Sequence, residues 1–217
     1  MNVAQARFNM VEQQIRTWEV LDQKVLDLMA QVPREDFVPA AYRNLAFADT
    51  CIPLEHGQSM MLPRVEARML QALQVSPSDR ILEIGTGSGF VTALLARLGG
   101  HVASIEIHEA LSSSARQKLD AHGVENVDIH TADGSRGWEQ SAPYDVIAVT
   151  GSVPVAEERF QNNLAVGGRL FVIVGQEPAM EALLITRNSE TQWSTDCLFE
   201  TVLPPLAGVE APERFVL

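Results

Sequence analysis

The chain has 217 residues, 46% of them hydrophobic, and a formal net charge of −12 from 16 basic and 28 acidic side chains. Such a length and composition describe a globular chain, most simply one domain, able to bury on the order of 70% of its unfolded surface. An acidic surface without a Lys/Arg cluster repels nucleic-acid phosphates and anionic lipid, so neither is an expected partner.

The first stretch reads as helix, with Phe8, Val11, Ile15 and Trp18 at helical spacing on one face. Asp22 suits the N-cap of a second helix, and Leu21 with Leu26 has the spacing of a hydrophobic staple. Leu21, Val25, Leu28, Met29 and Val32 continue an apolar stripe that Pro33 ends. From Pro33 to Pro63 the chain reads as an irregular loop, long enough to suggest function. Pro63 then opens a helix on which Val65, Met69 and Leu73 share a face.

Alternating units follow. Arg80 to Ile84 is an apolar strand carrying Glu83, and Gly85-Thr86-Gly87-Ser88-Gly89 is a tight turn. Val91, Leu94, Leu95 and Leu98 mark the helix behind it. This is the nucleotide-binding corner of a doubly wound sheet, where glycines let a ligand approach the backbone. His101 to Glu106 is a second strand, and an acid at its end, about 20 residues after the glycines, suits ribose hydroxyls. A helix from Glu109 to about Ala121 and a strand from Asn126 to Thr131 come next. Asp133-Gly134 is a turn at that strand's carboxyl end, where an Asp can accept from an adenine amino group. Asp145 to Thr150 and Arg169 to Val174 are buried strands, and two more, including an antiparallel pair, are expected from Glu181 to Val202. The result is a mostly parallel seven-stranded α/β sheet with helices on both faces and an N-terminal helical cap.

Cys51 and Cys197 belong to no Cys-x-x-Cys pair and read as free thiols of a reducing compartment. The five histidines lack metal-site spacing, so no metal is expected. No basic-then-apolar leader and no apolar run near ~20 residues is present, which points to the cytoplasm.

The glycine turn does not fit the dinucleotide fingerprint, because its third glycine comes one residue early. It also lacks the lysine of a P-loop and the glycine pair of a nucleophile elbow. Glu83-x-Gly85-x-Gly87-x-Gly89 resembles the first motif of the S-adenosylmethionine-dependent methyltransferases. The flanks narrow the resemblance. Val32-Pro33-Arg34-Glu35, Gly57-Gln58-Ser59, Asp133-Gly134-Ser135-Arg136-Gly137-Trp138 and Gly167-Gly168-Arg169 occur in the order seen in protein-L-isoaspartate O-methyltransferases. That resemblance implies repair: methylation of the isoaspartyl carboxyl in damaged proteins, with S-adenosylmethionine as cofactor and isoaspartyl proteins or peptides as partners. It also implies that Glu83 and Gly85 to Gly89 hold the cofactor, Glu106 its ribose, and Asp133 with Gly134 its adenine end. Residues 1–62 would form the N-terminal helices and acceptor loop, 63–175 the cofactor-binding core, and 176–217 the C-terminal strands and tail.

Two departures stand out. Where the family's acceptor loop has a second hydroxyl residue and a Gln, this chain has Met61 and Leu62. Ser59 keeps the first hydroxyl and is the candidate catalytic residue, with Ser59, Met60 and Met61 as the substrate side. Arg214-Phe215-Val216-Leu217 resembles the family ending without its proline. Three readings follow: an isoaspartyl methyltransferase acting through Ser59, a relative with a more apolar small-molecule acceptor, or a cofactor-binding protein without transfer.

Overall fold

The computed structural model describes residues 2–156 and 158–209. Strands β3 (Arg80–Ile84), β4 (His101–Glu106), β5 (Val127–Thr131), β6 (Tyr144–Val153), β7 (Leu164–Gln176), β8 (Ala179–Arg187) and β9 (Trp193–Thr201) form one seven-stranded sheet in the order β5-β4-β3-β6-β7-β8-β9. The first five in that order are parallel, and β8 and β9 add antiparallel strands at one edge. The chain order reverses at β3, whose neighbours are β4 and β6. In open α/β sheets the crevice beyond the strand ends at such a point binds the ligand.

Alternation along β3 sends Ile81 to one face and Leu82 to the other. On Ile81's side the core takes in Met69 and Leu70 of α4 (Pro63–Leu73), Leu94 of α5 (Phe90–Leu98) and Leu119 of α6 (Glu109–Ala121). Val25 and Met29 of α2 (Gln23–Gln31) extend it outward. Leu82's side is covered more thinly, by Phe160 of α7 (Glu158–Asn162) and by loop residues such as Trp138 and Leu206.

The N-terminal region differs from its periodic pattern. A regular α-helix covers Val3–Asn9 (α1), then a π-helix covers Met10–Ile15 and a 3-10 turn Arg16–Trp18. The wider π turn changes the angular step of the stripe. Met10, Val11 and Ile15 become buried, while Phe8 stays 59% exposed. Asp22 caps α2 by accepting from the Lys24 amide. Leu21 is 73% exposed and joins neither a staple nor the stripe.

The stretch between Pro33 and Pro63 is less irregular than expected. It holds a short helix α3 (Arg34–Phe37), a 3-10 turn (Ala40–Leu45) and a hairpin of β1 (Ile52–Pro53) with β2 (Ser59–Met60). Elements this short leave no periodic signature in a sequence.

Candidate active site

β3 leads straight into the glycine turn. Gly85, Gly87 and Gly89 all have positive φ, which the chain needs to turn back into α5. A Cβ on Gly85 would lie 2.5 Å from the Thr150 Oγ1, so this position admits no side chain. Thr150 sits in a register shift between β6 and β7, spanning Ala148 to Ser152. Bulges of this kind re-aim side chains beside active sites. Here the Thr150 hydroxyl reaches the carbonyls of Ile84 and Gly85 at 2.9 and 2.5 Å and pins the start of the turn.

Glu106, at the end of β4, is 5% exposed. Its Oε2 accepts from the Gly87 amide at 2.8 Å and its Oε1 from the His108 amide at 3.0 Å. A carboxylate has about four acceptor sites, so two remain for ribose hydroxyls. The trough beside it is lined by Gly85, Thr86, Gly87 and Ser88 of the turn and by Gln58, Ser59, Met60, Met61 and Glu66 opposite. It continues into a slot between Ile105, Ile107, Gly134, Ser135 and Leu206. Gly134 is closely packed, since a Cβ there would lie 3.1 Å from both Ile84 and Ile105 and push them aside by a few tenths of an ångström. Asp133 is exposed, accepts from the Ser135 amide at 2.9 Å, and lies against Gly208 rather than in the slot lining.

Glu83 does not line the trough. It is fully buried beneath the turn, where its Oε2 accepts from Thr92 at 2.5 Å and Ser104 at 2.6 Å. Ser104 in turn shares a hydrogen bond with Thr86 at 2.6 Å, so the turn rests on a hydroxyl relay. Burial pushes the Glu83 carboxyl up to about 8, against the two hydroxyl bonds and with a smaller contribution from Glu106. Its Oε1 has no partner among the described residues, which suits a protonated acid.

The acceptor loop is anchored from below. Arg34, fully buried, binds Glu66 through two nitrogens at 3.1 and 3.2 Å and the carbonyls of Ala46 and Met61 at 2.8 Å. Burial raises the Glu66 carboxyl and Arg34 opposes that rise. At the hairpin tip, His56 (φ +57°) stacks on His108 with ring centroids 4.2 Å apart. Ser59 lines the trough, and its buried hydroxyl lies beside the Cys51 thiol, whose pKa burial raises and Ser59 lowers. Met60 and Met61 are 5% and 3% exposed and belong to the core as well as the lining.

The segment after β9 closes the trough. Ser152 exchanges hydrogen bonds with Leu203, Pro204 and Leu206, which lays Leu206 over Gly85 and Gly151. Arg34 with Glu66, Thr150-Gly151 and Leu203 to Leu206 are site components that the sequence reading did not assign. The switch-point rule, applied to the carboxyl end of the fourth strand, would have found Thr150-Gly151. The other two depend on contacts remote in sequence.

A family model described as Protein-L-isoaspartate(D-aspartate) O-methyltransferase matches residues 5–211. The chain belongs to that family. It is 41% identical over 208 residues to Protein-L-isoaspartate O-methyltransferase 1 of Rhodopseudomonas palustris (strain HaA2), covering 95% of this chain and 85% of the relative. A relative from another strain of that species is 40% identical over 93% of each chain. Among solved structures, one from Plasmodium falciparum is described as a protein-L-isoaspartate O-methyltransferase in complex with S-adenosyl-L-homocysteine. It superposes with a TM-score of 0.79, 20% identity, and coverage of 95% and 98%. At that identity the likeness speaks for the fold, a class I methyltransferase sheet.

As a member of the family the chain is an S-adenosylmethionine-dependent O-methyltransferase. The glycine cradle closed to side chains, the spare acceptor sites of Glu106 and the apolar slot fit that cofactor. The family match stops before Arg214-Phe215-Val216-Leu217, which also lies outside the described residues. Among the described residues no helix is long and apolar enough to cross a membrane, and no cluster of His, Cys, Asp or Glu could hold a metal.

Proposed function

We propose that this chain methylates the carboxylate of isoaspartyl residues in damaged proteins, with Ser59 presenting the acceptor. The observation that carries this reading is the place of Ser59 in the trough wall, facing the glycine turn across it. A carboxylate is already ionised at neutral pH, so transfer needs no general base. S-adenosylmethionine supplies an electrophilic methyl when bound. The chain's work is to hold, align and dry the reacting groups.

Glu106 would take the ribose hydroxyls and Gly134 with Ile107 the adenine, with Asp133 at the rim beyond the slot as the candidate for its amino group. Gly85 to Gly89 bring the backbone against the cofactor, while Glu83 keeps that turn in shape from below. Ser59 donates to the acceptor carboxylate, and Met60 and Met61 exclude water beside it. Among the described residues the trough lining carries Glu66 and Glu106 and no basic side chain. The acceptor is therefore held by hydroxyl and amide dipoles rather than by a cation.

The three segments divide this labour. Residues 1–62 supply the acceptor side, 63–175 the cofactor side, and 176–217 contribute the wall formed by Leu203 to Leu206. Damaged proteins are the partner, not nucleic acid or membrane, and the free thiols of Cys51 and Cys197 support a reducing, cytoplasmic setting. Met60 and Met61 in the lining favour a second reading, an apolar small-molecule acceptor.

Transfer of a labelled methyl to an isoaspartyl peptide, against its aspartyl twin, separates the two. Base-labile label on the isoaspartyl peptide alone is expected. No label, from protein that binds S-adenosylhomocysteine, would overturn the first reading and leave the second.

A further inference from the structure

A second groove, of about 420 Å³, opens beside the trough and shares Leu54, Gly87 and Ser88 with it. Its walls are Val38, Pro39, Ala40, Tyr42 and Pro53 on one side and Ala110, Leu111 and Ser114 of α6 on the other. Lys118 is the one basic side chain in that lining among the described residues, in a chain whose net charge is −12. Its Nζ donates to the Phe37 carbonyl at 3.0 Å, and an ammonium has three donors. Glu55 stands at the opposite wall, beside the acceptor hairpin.

We propose that this groove is a peptide subsite that seats the residues flanking the isoaspartyl group, with Lys118 reading an acidic flanking side chain. The inference rests on the proposed acceptor and extends it to sequence preference. An isoaspartyl residue within a protein carries chain on both sides, and that chain must leave the trough. The groove adjoins the trough, with Leu54, Gly87 and Ser88 lining both. Pro39, Pro53 and Tyr42 give it a rigid apolar wall of the kind that seats extended peptides. Lys118 supplies the charge that selects among them, because a second acid there would face Glu55 without relief. Burial lowers the Lys118 pKa from its ordinary value, which matches an ammonium short of polar neighbours.

The test compares three substrates: a capped isoaspartyl residue alone, and isoaspartyl peptides with Glu or with Lys at the flanking positions. Wild-type protein is expected to show a KM about three-fold lower for the Glu peptide, the scale of a partly exposed ion pair. Lys118→Met keeps the stem and should abolish that preference, and Lys118→Glu should reverse it. Ala110→Trp fills the groove from an exposed position of α6 and should raise KM for both peptides while leaving the capped residue unaffected. Unchanged ranking in Lys118→Met, or equal losses on short and long substrates in Ala110→Trp, would overturn the subsite. Failure of the acceptor reading looks different, since wild-type protein would then methylate none of the three while still binding S-adenosylhomocysteine.

Discussion

Two side chains set the chemistry at the smallest scale, and each can be tested alone. Glu83 has a folded-state pKa of about 8 against an ordinary 4.5, so the folded chain holds its proton more tightly than the unfolded one. Between those values the unfolded state has shed a proton that the native state keeps. Stability therefore falls as pH rises across that window, by ~1.4 kcal/mol per pH unit at most, and levels off above about 8. Glu83→Gln, a neutral mimic, should flatten that slope in urea unfolding measured from pH 5 to 8. Met61 is the second. Met61→Ser restores a hydroxyl beside the acceptor, and one hydrogen bond to a charged group is worth ~1.5–3 kcal/mol, about a tenfold or greater gain in rate. It also removes a buried side chain, costing ~2 kcal/mol or more of stability. The expected variant is faster on isoaspartyl peptides and melts earlier; an unchanged or lower kcat/KM would contradict the role given to this loop.

At the scale of elements, the acceptor hairpin is held by one guanidinium. Arg34 joins α3 to Glu66 of α4 and to the Met61 carbonyl. Arg34→Met leaves Glu66 buried without its partner and should cost roughly 3–5 kcal/mol. Adding Glu66→Met should recover much of that stability, yet KM for the peptide should stay raised because the Met61 carbonyl has lost its anchor. Unfolding and kinetics on both variants check the separation. These elements also mark what a sequence can disclose. The strand, glycine turn and helix from Arg80 to Leu98 are local, each spelled by its own spacing, and they lie where that spacing placed them. Phe8 and Leu21 did not follow their stripe, because a π turn and an exposed cap changed which side faced the core. Arg34 read as part of a motif, but its four hydrogen bonds reach three residues at positions 46, 61 and 66, which no local pattern brings together. Leu206 over Gly85 is more remote still.

For the molecule as a whole, the cofactor trough is shared among the glycine turn, β4, the bulge of β6, the acceptor hairpin and the segment after β9. A ligand touching all of them stabilises the entire fold. S-adenosylhomocysteine at 100 times its Kd should add about 2.7 kcal/mol, which for a chain of this size raises Tm by roughly 5–10 °C. A thermal melt with and without it measures this directly, and no shift would contradict the assigned cofactor site. The same distribution explains why the fold was easier to read than the site. The sheet repeats one unit, whereas the trough gathers single residues from five places.

Leu203 to Leu206 come after every strand of the sheet in chain order. Proteins are made from the N-terminus and fold in that direction as they emerge. A chain still on the ribosome can thus complete β3 to β7 while the groove above Gly85 has no roof. The enzyme completes its cofactor grip only after its sheet, when Leu203 to Leu206 fall into place against Ser152.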